Sequence, residues 1–155
     1  MINKNSEDYL KARLSAFKFI TFKRRTIKET ENKLKSLEIN LDYVEDLISE
    51  LIELGYLNDE KYIEKFVEKS SKLSVNMIKL KLREKGIEKN LIEQFFSKNN
   101  FEEFDKIIKL LQKKKFSLDL PIDEQNKIKV YLLRKGFNKN DIEKAIKNFG
   151  GNSYE

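Results

Sequence analysis

The chain has 155 residues, of which 37% are charged, and it contains one proline, five glycines and neither cysteine nor histidine. This composition excludes a disulfide framework and thiolate or imidazole ligands, and it offers too few turn residues for an all-β fold. The formal net charge of +6 suits a polyanion such as nucleic acid. However, 27 of the 32 basic residues are lysine, so a merely solvated basic surface is an alternative.

The N-terminal segment, MINKNSEDYLKARL, lacks the apolar stretch of a signal peptide, and no segment reaches the roughly 18 apolar residues of a membrane span. We therefore expect a cytoplasmic protein that binds no membrane. Residues 1–58 hold ten basic and ten acidic side chains. Residues 59–99 hold ten against seven, and residues 100–155 hold twelve against nine. The excess of positive charge thus lies in the two later segments.

One pattern occurs three times, as LKSLEINLDYVEDLI (Leu34–Ile48), LREKGIEKNLIEQFF (Leu82–Phe96) and LLRKGFNKNDIEKAI (Leu132–Ile146). The copies are offset by 48 and 50 residues, and apolar side chains recur at equivalent positions. Each copy is typical of a helix, a tight turn and a second helix. Gly86 and Gly136 should take positive φ angles just after a helix, where the first copy has Glu38.

A further helix is predicted before each copy, because apolar residues recur there at helical spacing. The residues predicted to form the apolar stripes of these helices are Leu10, Leu14, Phe17 and Ile20 in the first, Tyr62, Phe66 and Leu73 in the second, and Phe104, Ile107, Ile108 and Leu111 in the third. In the first unit, Thr26 and Glu29 have the spacing of a capping box that opens the next helix.

The sequence therefore predicts an all-α fold of three tandem three-helix repeat units. We expect the units at residues 1–58, 59–99 and 100–149, followed by a tail at 150–155 that frays. The only proline, Pro121, lies in a longer connection inside the third unit. Leu34, Leu82 and Leu132 occupy equivalent positions and should be buried, one in each unit.

Catalytic signatures are missing from the sequence, which has no glycine-rich phosphate loop, nucleophile elbow or metal-spaced cluster. Acidic residues recur along one predicted helix, at Asp42, Glu45, Asp46, Glu50 and Glu53. A metal or acid–base site there is conceivable, but a solvated helix face is the favoured interpretation. We expect no catalysis, no cofactor and no bound metal.

Basic clusters are the candidate binding residues, because phosphates are neutralised by lysine and arginine. They are Lys23, Arg24 and Arg25; Lys79, Lys81 and Arg83; Lys113 and Lys114; and Lys127 and Arg134, the last two beside Tyr131. The competing interpretation is a solvated helix surface, with cations placed favourably at helix C-termini.

Four segments, in order and at consistent spacing, resemble the RecX family. KRRTIKETENKL (Lys23–Leu34) is similar to the family opening R-x-R-S-x-x-E-L-x-x-K-L, and GYLNDEKYI (Gly55–Ile63) is similar to G-Y-L-D-D-x-x-F-A. The family's K-G-I and R-K-G-F turns match Lys85–Ile87 and Arg134–Phe137. Where the family usually has a glycine at the start of the second unit's middle helix, this chain has Ser74.

The resemblance implies an elongated, curved molecule and a role in recombination, DNA repair and the SOS response. It implies a non-enzymatic regulator, inhibitory in most members, that binds along the filament of the RecA recombinase on single-stranded DNA. We expect a monomer with these two partners. The alternatives are a stand-alone DNA-binding helical module or transcription regulator, and a helical-repeat scaffold that binds no nucleic acid.

Overall fold

The structure is a computed structural model that describes residues 1–99 and 101–152, for residues 150–152 the backbone alone. Within these residues it contains nine α-helices and no strand, as the sequence predicts. The helices are α1 (Glu7–Phe22), α2 (Ile27–Ser36), α3 (Leu41–Glu53), α4 (Asp59–Glu68), α5 (Val75–Glu84), α6 (Lys89–Lys98), α7 (Glu103–Lys113), α8 (Ile122–Arg134) and α9 (Lys139–Asn152).

Two compact units make up the chain. Unit 1 comprises Met1–Phe66 and Leu82–Phe95, and unit 2 comprises Val67–Lys81 and Phe96–Glu155. This division differs from the three sequential units expected from the sequence, which stay a prediction. The expected tail begins inside α9, and residues 153–155 lie outside the described part of the chain.

The core of unit 1 lies among the first three helices and the segment that follows them. Its buried members are Tyr9, Ala12, Ala16, Leu34, Val44, Leu47, Leu51 and Leu57. In unit 2 the core lies among the last three helices and consists of Ile107, Leu110, Leu111, Phe116, Leu132, Phe137, Ile142, Ala145 and Ile146. The three equivalent leucines, Leu34, Leu82 and Leu132, are completely buried, which confirms that prediction.

The predicted face of α1 is wrong at two of its four residues, since Phe17 and Ile20 pack against the core but Leu10 and Leu14 do not. Leu10 and Leu14 are 52% and 56% exposed, whereas Tyr9, Ala12 and Ala16 are buried. Small alanine side chains let α1 approach the core closely, and the tyrosine buries its ring while its hydroxyl finds a polar partner. In unit 2, Phe104 is likewise 38% exposed, so its prediction as part of the apolar stripe of α7 is also wrong.

Each repeated turn has the hydrogen bonds of a Schellman motif. The amide of Gly86 donates to Arg83 O at 2.9 Å and that of Ile87 to Leu82 O at 3.2 Å, and the other two copies repeat this pair of bonds. Gly86 and Gly136 have φ angles of 89° and 97°, which confirms the prediction, and Glu38 takes φ 60° at the same position. Packing adds a second requirement for glycine, because an added Cβ would lie 2.5 Å from Lys28 Cβ or 2.7 Å from Met77 Cβ.

The capping box of α2 forms as predicted, and Thr26 also anchors a more distant segment. Its hydroxyl donates to Lys85 O at 2.7 Å, while Asp59 Oδ1 accepts from the amide of Ile27 at 3.0 Å. We call Thr26, Asp59 and Lys85 the unit 1 junction. It fixes the N-terminus of α2 against the turn that contains Gly86.

Unit 2 contains an equivalent arrangement around Ser74. The amide of Ser74 donates to Lys135 O at 3.0 Å, and Glu103 Oε1 accepts from the amide of Val75 at 2.9 Å. We call Ser74, Glu103 and Lys135 the unit 2 junction. The hydroxyl of Ser74 accepts from the amide of Met77 at 3.1 Å, so serine caps the start of α5.

Candidate nucleic-acid interface

A basic cluster of unit 2 surrounds Tyr131 on α8. Lys114 Nζ lies 4.2 Å from the centre of the tyrosine ring, and Lys135 Nζ lies 5.4 Å from it. Both lysines are C-caps, of α7 and α8, where the negative end of a helix favours a cation. The ring packs partly against the core, so it holds the two ammonium groups at a defined place on the surface.

Two further cations predicted from the sequence line a groove beside the same ring. Lys127 and Arg134 form its walls together with Tyr131 and Val130, and Asp123 is the acidic residue among its lining side chains. Both basic side chains are exposed. The structure therefore brings Lys114, Lys127 and Arg134 together around Tyr131, although Lys114 is the C-cap of α7 and the other two lie on α8.

Lys113 belongs to a neighbouring pair of cations. Its pKa is lowered, first by the adjacent Lys72 ammonium and then by Lys114, because a nearby positive charge opposes protonation. Lys72 precedes Ser74 in the connection between α4 and α5, and it was not among the predicted residues. A polyanion would relieve the repulsion between these lysines.

The basic cluster of unit 1 lies where α1 ends. The Arg25 guanidinium lies 4.0 Å from the centre of the Phe19 ring, and its Nε donates to Phe19 O at 3.3 Å. Lys33 Nζ lies 5.9 Å from the same ring. Lys23 and Arg24 are exposed at the beginning of the connection to α2. The cluster thus combines one arginine in a fixed position with three exposed cations.

The remaining predicted cluster lies on α5, with Arg83 in unit 1 and Lys79 and Lys81 in unit 2. Arg83 donates to Ile87 O at 3.2 Å and so stabilises the helix end within unit 1. In unit 2, Lys79 Nζ lies 5.3 Å from the centre of the Phe96 ring, and Lys81 is exposed. For Arg83, helix capping is therefore a sufficient explanation.

Two of the acidic residues of α3 are paired with other residues of unit 1. Asp46 Oδ2 accepts from the Tyr9 hydroxyl at 2.6 Å, and Glu50 Oε1 pairs with Arg13 at 2.7 Å. Burial and the bond to Asp46 raise the pKa of Tyr9 well above its usual value. Within residues 1–99 and 101–152, no group of three or more potential ligands is placed to hold a metal ion. In the same part of the chain, no helix is both long and apolar enough to cross a membrane.

Sequence reasoning missed some of the cations and the aromatic partners other than Tyr131. Phe19, Lys33 and Lys72 join clusters through packing, and only Phe19 left a local signal, its helical spacing from the basic triplet at Lys23–Arg25. Lys72 and Lys113 are 41 residues apart, so no sequence window could connect them. Tyr131 was already noted beside Lys127 and Arg134.

Residues 102–146 match the family model described as the third three-helix domain of RecX. "Regulatory protein RecX" of Caldanaerobacter subterraneus subsp. tengcongensis is 32% identical over 139 residues, which cover 87% of this chain and 68% of the relative. The relative of that name from Streptococcus uberis is 30% identical, with 84% of this chain covering 52% of it. The chain thus spans about half the length of that relative.

A solved structure gives the same result. The crystal structure of RecX from Lactobacillus salivarius superposes with a TM-score of 0.74 at 34% identity, covering 92% of this chain and 97% of the other. Its near-complete coverage and the Caldanaerobacter match agree with the four motifs and the three-helix repeats. The chain belongs to the RecX family of regulatory proteins.

Proposed function

We propose that this chain is a non-enzymatic regulator of the RecA recombinase that binds along the RecA–single-stranded DNA filament and inhibits it. The observation that carries the proposal is a cation–aromatic cluster in each of the two units of a chain that belongs to the RecX family. The relatives' name, regulatory protein, supports a role in control rather than catalysis. Cytoplasmic location and a monomeric state are part of the same proposal.

Two separate clusters suit a polymeric partner. Each contact with a phosphate is weak by itself, but once one unit has bound, the linked unit meets its own site at high effective concentration. Rings under Arg25 and Lys114 hold the cations in place, so less side-chain entropy is lost when they bind. A filament that repeats the same site along its length can engage both clusters at once.

The test is the ATPase activity of RecA on single-stranded DNA, measured while the chain is titrated in. Lys23→Glu with Arg24→Glu alters unit 1, and Lys114→Glu with Arg134→Glu alters unit 2. Lys61→Glu with Lys147→Glu reverses exposed lysines outside both clusters and serves as the matched control. All three variants change the net charge equally.

Each cluster variant should raise the half-inhibitory concentration several-fold, and the combined variant should raise it by roughly the product of the two factors. The control should stay close to wild type. A folded combined variant that inhibits at wild-type concentrations would show that these basic faces are solvated surface. Acidic or apolar contacts would then have to carry the function.

A stand-alone DNA-binding module is the second candidate, favoured by the local density of lysine around Tyr131. It requires that binding to DNA without the recombinase be as tight as binding to the filament. The affinity should then fall steeply with salt, because phosphate neutralisation releases counterions. Tight binding that appears only with RecA and nucleotide present supports the first candidate.

A further inference from the structure

Phe22 is the last residue of α1, and its side chain is 82% exposed. Lys23, the C-cap of α1, has φ −158° and ψ 165°. Phe22 therefore lies at the boundary between the helix and an extended segment. Leu10 and Leu14 on the same helix are much less exposed. An aromatic ring displayed to this degree contributes little to the core of unit 1.

The surroundings of Phe22 are cationic. The Arg25 guanidinium lies 6.0 Å from the centre of the Phe22 ring and 4.0 Å from that of Phe19, and its bond to Phe19 O fixes its direction. Lys23 and Arg24 follow Phe22 directly and are exposed. Glu29, the nearest acid along the chain, is committed to the capping box of α2. We call Phe22, Lys23, Arg24 and Arg25 the α1 platform.

We propose that the α1 platform binds single-stranded nucleic acid, with one base stacked on Phe22 and the flanking phosphates held by Lys23, Arg24 and Arg25. A single strand offers the open face of a base, whereas in a duplex each base is already stacked on its neighbours. The arginines supply paired donors for phosphate oxygens. A partner protein whose pocket bound Phe22 would also have to accommodate the three neighbouring cations at the rim of that pocket. Charge complementarity therefore favours a polyanion.

This inference rests on the proposed function for its setting, the strand within a filament, but it can be tested on the chain alone. The probe is a fluorescent oligothymidylate of about 16 nucleotides, within the range of single-strand site sizes, and anisotropy is read at several salt concentrations. Phe22→Ala removes the ring and Phe22→Tyr keeps it. Leu14→Ala removes exposed apolar surface from the same helix, and Lys23→Gln with Arg24→Gln removes two charges.

Phe22→Ala should weaken binding roughly 5- to 150-fold, the range for stacking one base, with the salt dependence unchanged. Phe22→Tyr and Leu14→Ala should bind like wild type. The double glutamine variant should instead flatten the slope of log affinity against log salt by about 1.4, because each phosphate contact to a single strand contributes about 0.7. The ring and the charges can thus be distinguished, because losing the ring lowers the affinity at every salt concentration, whereas losing the charges changes the salt dependence.

An oligonucleotide of the same length with abasic sites throughout gives the decisive comparison. Wild type should lose affinity when the bases are removed, and Phe22→Ala should lose almost none. Equal binding of Phe22→Ala and wild type to the normal oligonucleotide would overturn the inference. So would a Phe22→Ala defect that persists undiminished on the abasic strand.

The outcome is separable from that of the proposed function. If wild type inhibits RecA but Phe22→Ala binds the oligonucleotide normally, only this inference fails. If Phe22→Ala then inhibits poorly, Phe22 contacts a protein instead. If Phe22 carries base-dependent binding but the chain leaves RecA unaffected, the proposed function fails and the α1 platform stands.

Discussion

The two junctions make the same connection with different atoms. Thr26 and Ser74 lie 48 residues apart at the same repeat position, and each bonds the carbonyl of a lysine that precedes a glycine. In unit 1 the side chain of Thr26 donates this bond, whereas in unit 2 the main-chain amide of Ser74 donates it. The repeat thus preserves the geometry of the join, while its dependence on the side chain differs between the units.

The junctions also connect folding to the basic surface. Arg24 and Lys72 each stand two residues before the hydroxyl-bearing cap, so the same turn displays a cation in both units. Lys135 supplies the carbonyl that binds Ser74 and the ammonium that lies over Tyr131. Damage to a junction should therefore displace the cations as well as lower stability.

The largest expected effect follows from the three leucines whose carbonyls accept the turn bonds. Leu34→Ala, Leu82→Ala and Leu132→Ala should each lower the free energy of unfolding by about 2–5 kcal/mol, because each side chain is completely buried. Urea unfolding followed by circular dichroism measures the loss. Unchanged midpoints for two of the three would mean that the repeat alignment does not describe equivalent positions.

The next largest loss of stability is expected when the turn glycines are replaced by alanine. Gly86→Ala and Gly136→Ala combine a positive φ with a close contact, and we expect losses of about 2–4 kcal/mol. Gly55→Ala is the matched control, since its φ is 83° but no atom lies within 4 Å of the added Cβ, so only about 1–2 kcal/mol should be lost.

The first copy of the turn should respond in the opposite direction. Glu38 already carries the strain of φ 60°, so Glu38→Gly should not destabilise the chain. Removing the left-handed strain of a non-glycine residue should stabilise the folded chain by about 1–2 kcal/mol. This gain offsets the cost of about 0.4–1 kcal/mol that comes from the greater freedom of glycine in the unfolded chain. A loss as large as that of Gly86→Ala would contradict the equivalence of the three turns.

Sequence reasoning reached the repeated turns because their requirements are local. A buried leucine, a positive φ and a capping box each depend on a few neighbouring residues, as Leu82, Gly86 and Thr26 show. The helical class followed from the same periodic spacing of apolar residues. These features required no knowledge of how distant segments meet.

The sequence predictions failed where tertiary packing decides which of two apolar helix faces is buried, or where it brings distant segments together. On α1, leucines at 10 and 14 formed the more apolar stripe, but Ala12 and Ala16 allow closer contact, and Tyr9 gains a bond to Asp46. The candidate clusters became groups only through tertiary contacts, such as that of Lys114 with Tyr131.

Removing the junction hydroxyls should have an intermediate and unequal effect. Thr26→Ala deletes the cap and leaves Lys85 O without its donor, which should cost about 2–3 kcal/mol. Ser74→Ala deletes the cap alone, because the amide still donates to Lys135 O, and should cost about 1 kcal/mol. Thr26→Ser, which keeps the hydroxyl, should recover most of the loss. Equal losses for both alanine variants in urea unfolding would refute the contrast between the junctions.

The smallest expected effect concerns the pH dependence of the unit 1 junction. The pKa of Asp59 is raised, chiefly by burial and less by Glu29 and Glu88, although the amide of Ile27 acts in the opposite direction. The folded chain therefore binds a proton at this carboxyl more readily than the unfolded chain does. Its contribution to stability increases as the pH falls through the folded pKa, and it is lost as the pH rises.

Glu31 provides the opposite sign within the same unit. Its pKa is lowered, first by the hydrogen bond from Lys35, so its contribution is present above the ordinary glutamate value and is lost as the pH falls. Relative to wild type, Asp59→Asn should therefore become less stable on acidification from about pH 6 to pH 3, and Glu31→Gln should become relatively more stable over that interval. Free energies from urea unfolding at each pH give both differences, and subtracting the wild-type value at the same pH cancels the titration of the other carboxylates. Differences of the same sign would show that burial does not dominate at Asp59. The amide of Ile27 would then outweigh it, and Asp59 would stabilise the junction as a charged cap.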